Sequence, residues 1–305
     1  MIRTSQFGQL VLGFLILFAG SASLPAVDLL YLSVNNSIVT YDTTGNDGAT
    51  IAGTVATFAN TNLSSPQGLA FDSSGNLYAA NASDNTISKF NSSGGYISSI
   101  SGLSGPEGLA IDSTGNLYAA NFDNDTISKF DSTGGYVSSN SSTLDIPFGL
   151  AMDSTGNLYA ANLGDNTISK YNSSGVYLSS INSNLFQPQG LAFDSSGNLY
   201  AANQSGNTIS KFDSSGGYLS SISSDLNMPR GLAFDSMGNL YAANNGNRTI
   251  SKFNSSGTFL TSWSTGANTP SFLTFKPVTV PEPSTYALAA IASGLIAAMA
   301  RRRKA

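Results

Sequence analysis

Six side chains that differ in charge, size and polarity each follow one of six regularly spaced prolines. They are Gln67, Glu107, Phe148, Gln189, Arg230 and Ser271. Together they supply an anionic group, a cationic group, an aromatic ring and three neutral polar groups, a mixture that suits a polar ligand such as a sugar chain. Histidine and cysteine are absent, which removes the commonest general base, the commonest zinc ligand and any thiolate chemistry. We therefore expect no catalytic residue, no metal and no cofactor.

The prolines mark a repeated sequence unit. The first interval, from Pro66 to Pro106, is 40 residues and the later ones are 41, with prolines at 147, 188, 229 and 270. Each unit holds four short runs rich in aromatic and β-branched residues, bounded by Gly, Asn, Asp and Ser, which is typical of strands and tight turns. In the first unit they are Gly68–Phe71, Asn76–Ala80, Thr86–Phe90 and Tyr96–Ile100. Four strands in each repeated unit predict the blades of a β-propeller.

The two ends of the repeat region complement each other. Leu30–Val34 and Ser37–Tyr41 match second and third strands, and residues 49–58 can supply a fourth. Pro270–Phe275 reads as a first strand with no later strands behind it. The sequence therefore predicts an all-β, six-bladed propeller over residues 27–277, in which both ends build one composite blade. Because ring closure leaves no unpaired end strand, we expect a monomer.

The alternation of strand direction divides the turns between two faces. On one, the "uniform face", the turns barely change between units, as in Asp72–Gly75 and Asp112–Gly115. On the other, the "variable face", the loops between second and third strands and between units differ. The six post-proline residues begin the innermost strands here, so we expect them to form a binding rim at the channel mouth, with Phe148 as a stacking surface. Replacing Phe148 and Arg230 should then weaken binding and hardly change the melting temperature. Neutral drift in exposed loops is the alternative.

The Asp-containing turns and a recurring lysine can each be interpreted as a functional site or as a structural feature. The Asp-Ser-Ser-Gly-Asn turns could be calcium loops, but each has one carboxylate, so Asx turns are expected. The recurring lysines could form a basic stripe, but rim lysines that extend to solvent are expected at 89, 129, 170, 211 and 252. Residues 27–277 hold 17 acidic and 8 basic side chains, a net charge of −9, which disfavours nucleic acid as a partner.

The N-terminus has the pattern of a secretory signal peptide, which we assign to residues 1–26. Arg3 precedes an apolar run from Leu10 to Gly20, and small residues at 20–23 offer a cleavage site. A membrane anchor is the alternative, but 11 helical residues span only ~16 Å.

The C-terminus, residues 278–305, combines three signals in order. Pro281-Glu282-Pro283 is followed by an apolar stretch at 286–300 and by a basic cluster at 301–304. This resembles the PEP-CTERM sorting segment of bacteria. The resemblance implies an exosortase-like partner, transient insertion of residues 286–300 into the inner membrane, and release to the cell envelope or exopolysaccharide. A lasting single-pass anchor is the alternative. The basic cluster should remain cytoplasmic, which places the propeller outside.

The repeat itself resembles the NHL family of propellers. Pro66-Gln67-Gly68-Leu69 and Asp72–Tyr78 follow that family's pattern, with asparagines in place of its common Asp at 81, 121, 162, 203 and 244. The resemblance implies the fold and leaves function open, because one fold hosts many functions. We expect a non-catalytic binding or matrix protein, with polysaccharide or another envelope protein as partner. The alternative is a lactonase- or lyase-like enzyme with a divalent metal at the channel mouth, where only Glu107 could begin a metal site.

Overall fold

The structure, a computed structural model, describes residues 28–43 and 56–276. The predicted signal peptide, the sorting segment with Pro281, Glu282 and Pro283, and the apolar helices expected at both termini lie outside the described residues. Within the described ranges, no helix is long and apolar enough to cross a membrane.

The described residues form 24 strands in six four-stranded antiparallel sheets. Three strands open the chain: β1 (Leu29–Val34), β2 (Ser37–Asp42) and β3 (Ala56–Ala59). Blades 1 to 5 follow. Their strands are β4 (Pro66–Phe71), β5 (Leu77–Asn81), β6 (Thr86–Phe90) and β7 (Tyr96–Ile100); β8 (Pro106–Ile111), β9 (Leu117–Asn121), β10 (Thr126–Phe130) and β11 (Tyr136–Asn140); β12 (Pro147–Met152), β13 (Leu158–Asn162), β14 (Thr167–Tyr171) and β15 (Tyr177–Ile181); β16 (Pro188–Phe193), β17 (Leu199–Asn203), β18 (Thr208–Phe212) and β19 (Tyr218–Ile222); and β20 (Pro229–Phe234), β21 (Leu240–Asn244), β22 (Thr249–Phe253) and β23 (Phe259–Ser264). The last strand is β24 (Pro270–Phe275).

The sixth blade is the predicted composite. Its strand order is β24-β1-β2-β3, and β24 pairs antiparallel with β1, joining Leu30 to Phe275 and Leu32 to Leu273. The six-bladed propeller and its closure by both ends are thereby confirmed. First strands begin at the proline, two residues earlier than predicted for blade 1, and β5 is shifted by one residue. Of the fourth strand expected within 49–58, the structure describes β3 from Ala56 onward.

The core lies between blades rather than inside one sheet. Every second strand of blades 1 to 5 reads Leu-Tyr-Ala-Ala-Asn and is buried along its whole length. The alternation of side chains across the strand sends its Tyr and second Ala to one neighbouring blade and its Leu and first Ala to the other. Thus Tyr78 and Ile87 of blade 1 pack with Leu109, Leu117 and Phe130 of blade 2. Alanine is small enough to allow the sheets to approach face to face. Each blade is therefore stabilised mainly by its two neighbours.

Candidate binding site at the channel

The predicted rim residues lie at a bulge in the innermost strands. In blade 1 the register between β4 and β5 shifts between Pro66 and Leu69, so Gln67 and Gly68 leave the ladder. A Cβ on Gly68 would collide with the carbonyl oxygen of Glu107 in the next blade. Only glycine permits this backbone approach. The same collision is met at Gly108, Gly149 and Gly190. The glycines thus draw the inner strands together where the post-proline side chains emerge.

Four of the six rim residues come together, along with one residue that the sequence analysis did not single out. The Nε of Arg230 donates to Oε1 of Gln189 at 2.8 Å, and its Nη1 lies 3.5 Å from Oγ of Ser271. The guanidinium carbon lies 5.1 Å from the ring centroid of Phe148. Phe148 in turn stacks on Phe272, with centroids 5.6 Å apart and planes 18° apart.

The stack of Phe148 on Phe272 lies across the channel, and we call it the plug. Phe148 belongs to blade 3 and Phe272 to the composite blade, which lies opposite blade 3 in a ring of six. Phe272 occupies the position at which the other five blades have glycine, so its ring enters the space that the glycines leave open. When Ser271-Phe272 is aligned with Gln67-Gly68, Phe272 stands in place of a glycine, and this difference is the sequence signal for the plug.

Phe148 is therefore not the open stacking surface that the sequence suggested. Its side chain is only 2% exposed, since Phe272 and Arg230 contact it and Phe122 packs edge-on at 6.3 Å. The exposed aromatic rings of the variable face are instead those of two loop residues. Phe122 is 37% exposed and Phe186 is 54% exposed.

The remaining two rim residues leave hydrogen-bonding atoms without a protein partner. Oε1 of Gln67 and Oε2 of Glu107 are buried and unpaired. Burial raises the pKa of Glu107 to about 7; the positive charge of Arg230 opposes this rise and the negative charge of Asp123 adds to it. Burial also lowers the pKa of Arg230, an effect that Glu107 offsets. The rim thus holds a carboxyl group that can be neutral near neutral pH beside a fixed cation.

Below the plug, the channel widens into a cavity lined by the inner strands. Its volume is about 330 Å³, and its walls are the later residues of the inner strands, among them Leu69, Phe71, Leu150, Leu232 and Phe275. First strands run from the variable to the uniform face, so this cavity lies on the uniform side of the plug. It carries no charged side chain on its walls.

The loops of the variable face are joined by a recurring bond between neighbouring blades. A backbone N–H before the proline of one blade donates to a side-chain oxygen from the loop of the preceding blade. The bonds are Gly105 to Asn85 at 2.6 Å, Ile146 to Asp125 at 2.7 Å, Gln187 to Asn166 at 2.6 Å and Met228 to Asn207 at 2.6 Å. These loop residues therefore connect blades, whatever else the face binds.

The asparagines that stand in place of the family's Asp are structural as well. Asn81 is fully buried; its Nδ2 donates to Ser88 at 2.9 Å and Thr86 at 3.1 Å, and its Oδ1 accepts from the Ser64 backbone at 3.2 Å. The donor bonds to the matching Ser and Thr recur at Asn121, Asn162, Asn203 and Asn244. They tie the second and third strands together.

The uniform face is built from self-contained turns. Oδ1 of Asp72 accepts from the backbone of Ser74 at 3.0 Å and of Asn76 at 2.9 Å, which is the expected Asx turn. Burial would raise the pKa of Asp72, but hydrogen bonds from Asn76 and the charge of Lys89 hold it below its ordinary value. In the part of the chain that the structure describes, no three His, Cys, Asp or Glu residues cluster as a metal site would require.

Four of the five recurring lysines pair with these turns. Lys89 lies 3.4 Å from Oδ2 of Asp72 and 4.8 Å from the ring centroid of Tyr78. Lys170, Lys211 and Lys252 make the matching contacts with their own Asp and Tyr. These four lysines are thus held by an acid and a ring, rather than extended freely to solvent, and Lys129 lies 5.0 Å from the ring centroid of Tyr118.

Both ends of the described chain leave from the uniform face. Oδ2 of Asp28 accepts a 3.1 Å bond from the backbone of Ser236, which lies in the uniform-face turn of blade 5. Lys276, just beyond β24, lies against the turn of blade 1, where a Cβ on Gly75 would be 3.2 Å from its Cε. The last described residue, Lys276, therefore lies on the uniform face, beside the first turn of blade 1.

Comparison with known proteins identifies one sequence feature and the fold. Residues 279–304 match the PEP-CTERM protein-sorting motif. Among curated proteins, none matches the chain. Three similar solved structures are a nidogen/laminin complex, a catalytically inactive histidine-to-alanine variant of virginiamycin B lyase from Staphylococcus aureus with quinupristin, and a protein of unknown function from Bacteroides caccae. Their TM-scores are 0.71, 0.61 and 0.64, at 18%, 14% and 14% identity; they cover 82%, 80% and 83% of this chain and 98%, 87% and 100% of their own.

At that identity the structures show the fold alone. The sorting motif shows that this is an exported protein with a sorting signal, attached to a six-bladed propeller. The NHL character of the repeat remains a resemblance.

Proposed function

We propose that this protein is a non-catalytic binding module of the bacterial envelope or extracellular matrix, whose variable face takes up glycan or exopolysaccharide. The observation that carries the proposal is the PEP-CTERM motif at residues 279–304, joined to a propeller whose last strand ends on the uniform face. An exosortase-like enzyme would act on the segment around Pro281-Glu282-Pro283.

The position of the sorting segment orients the propeller. Nine residues, 277–285, separate the last described strand from the apolar stretch, and nine extended residues reach at most ~30 Å. While residues 286–300 are inserted, the uniform face is therefore held near the membrane. The variable face, on the opposite side of the ring, points outward. The face that differs between blades is thus the one that meets ligands outside the cell.

The chemistry of the variable face supports a polar ligand with flat apolar surfaces. Phe122 and Phe186 offer exposed rings for stacking, while the unpaired acceptors of Gln67 and Glu107 are buried at the centre of the same face. Sugars present flat apolar ring faces that stack on aromatic side chains, and their hydroxyl groups remain free to bond polar loop residues.

A lyase is the second candidate, because a virginiamycin B lyase shares the fold. In the catalytically inactive variant of that lyase, a histidine is replaced by alanine. This chain has no histidine. Among the six rim residues only Glu107 is a carboxylate, and it faces Arg230. This site therefore favours binding over catalysis.

Sorting is tested on the mature protein. If the segment is cut near the Pro-Glu-Pro motif, mass spectrometry of envelope and extracellular fractions will find no peptide beyond about residue 285. Recovery of the Arg301–Lys304 cluster on mature protein would show a lasting anchor instead.

Ligand binding is tested by a glycan and polysaccharide array. For any glycan retained, Phe122→Ala and Phe186→Ala should each weaken binding by about tenfold, the equivalent of ~1.4 kcal/mol for one lost stacking contact. Tyr136→Ala removes a ring that is 63% exposed on an outer strand, and it should leave binding unchanged, as should Ser74→Ala and Ser196→Ala on the uniform face. Equal losses from both sets of variants would count against the variable face.

A further inference from the structure

The outer edges of four consecutive blades are open strands. In blades 1 to 4 the fourth strands β7, β11, β15 and β19 pair with the third strand on one side only. Each ends the strand order of its sheet, so among the described residues no strand pairs with the other side. The outward N–H and C=O groups of such an edge are a template for another strand.

These edges lack two of the features that protect an exposed strand, a charged side chain and a proline. Their sequences are Tyr-Ile-Ser-Ser-Ile, Tyr-Val-Ser-Ser-Asn, and Tyr-Leu-Ser-Ser-Ile twice, with no charged residue and no proline. Natural proteins discourage edge pairing with lysine, proline or a β-bulge on the edge. Of these, the four edges have only a bulge, at their first two residues. Here the lysine of each blade lies on the third strand; in blades 1, 3 and 4 it is bound by the Asp turn.

Each edge also presents an apolar pair to solvent. A bulge at the start of the fourth strand, where the register shifts between Lys89 and Phe90, leaves both Tyr96 and Ile97 exposed. Tyr and the following Val or Leu are likewise exposed in β11, β15 and β19. The combination of free backbone groups and exposed apolar side chains fits a strand of similar composition.

The fifth and composite blades differ. Trp263 of β23 packs against Tyr41 and Tyr241, and no large side chain of β23 is among the exposed hydrophobic ones. The composite blade ends in the four-residue β3. The open edges therefore form a continuous arc over four of the six blades.

We propose that this arc pairs with further copies of the same chain, edge strand against edge strand, so that the propellers assemble laterally. A second copy is the fitting occupant because all four edges carry nearly the same sequence, so two antiparallel edges meet in an isologous contact without opposed like charges. Since each propeller offers several such edges, the assembly extends and does not stop at a dimer. Ring closure had suggested a monomer, but closure removes only the end strands.

The proposal is independent of glycan binding and is tested by sedimentation velocity on the mature exported protein. The expected result is a weight-average mass that rises at least about twofold over a tenfold increase in protein concentration. The rise should persist or grow with added salt, because the net charge of −9 opposes association until it is screened.

The edge variant Ile97→Lys, Val137→Lys, Leu178→Lys, Leu219→Lys should remain a monomer throughout. Its matched control places the same four charges on exposed uniform-face turns, as Ser73→Lys, Ser113→Lys, Ser154→Lys, Ser195→Lys, and should still assemble. A wild-type protein that stays monomeric at every concentration overturns the proposal, as does equal loss of assembly in both variants.

A second measurement locates the contact. The chain has no cysteine, so Ser98→Cys, Ser138→Cys, Ser179→Cys, Ser220→Cys places thiols only at the centres of the four edges. Mild oxidation should link copies through these positions, whereas cysteines at the four turn serines should remain free. Links only in the turn variant would show that the copies associate through the uniform face.

Discussion

At the scale of single residues, burial of the Glu107 carboxyl group lowers the free energy of unfolding by an amount that depends on pH. Burial raises its pKa from an ordinary value of 4.5 to about 7, and Oε2 has no protein partner. The folded state therefore binds this proton more tightly than the unfolded state does. Well below pH 4.5, both states are protonated, and the burial of this group costs nothing. As the pH rises toward 7, the unfolding free energy falls, and above 7 the loss is complete.

Glu107→Gln should remove this destabilisation by a buried carboxylate, because glutamine resembles the protonated acid and carries no charge. A difference of about 2.5 pKa units corresponds to a gain on the order of 3 kcal/mol at pH 8, while little change is expected at pH 4.5. Urea denaturation at both pH values measures it. Ser74→Ala, which changes an exposed residue without an ionisable group, should change the unfolding free energy equally at both pH values. An equal gain for Glu107→Gln at both pH values would show that charge burial is not the cause.

At the scale of loops and strands, the contacts between neighbouring blades repeat with one exception. Asn85, Asp125, Asn166 and Asn207 have φ between 49° and 59°, and each accepts a backbone bond from the next blade. Blade 5 has Arg248 at this position, with φ of 58°. Asn and Asp tolerate the left-handed region better than other non-glycine residues, so Arg248 bears backbone strain that the other four avoid.

Arg248→Asn should therefore raise the unfolding free energy by up to about 1 kcal/mol. Arg248→Ala is the matched control, because it removes the same charge and side chain without relieving the backbone, and it should give no gain. Equilibrium unfolding in urea distinguishes them. If both variants gain equally, the arginine side chain, and not its φ, is the source of the strain.

At the scale of the whole molecule, stability depends on closing the ring. Since each hydrophobic cluster is shared between neighbouring blades, removal of β24 exposes the inner edge of β1 and takes Leu273 and Phe275 from the cluster shared with blade 5. The plug also loses Phe272.

A chain that ends after Thr269 should therefore aggregate or lose structure cooperatively, whereas one that ends after Lys276 should melt like the intact propeller. Circular dichroism and light scattering during heating compare the two truncations. Matching melting curves for both would mean that β24 does not close the ring.

The sequence by itself determined the architecture. Strand periodicity, glycine-containing turns and the 41-residue spacing are local features, and their repetition made the blades, the composite closure and the ring of six post-proline residues predictable. The alternating faces followed from strand direction alone. Asx turns were predictable for the same reason, because Asp72 bonds residues only two and four positions later.

Only the tertiary structure decided what the ring of residues does. The sequence suggested that Phe148 is an open stacking surface, but Phe272 from the opposite blade stacks on it. No local sequence feature of either residue predicts a contact across the channel. The unpaired oxygens of Gln67 and Glu107, and the blade-to-blade bonds of the loop asparagines, also depend on how close the inner strands approach. That distance is set by glycines meeting the backbone of a neighbouring blade, which is a property of the closed ring rather than of any one unit.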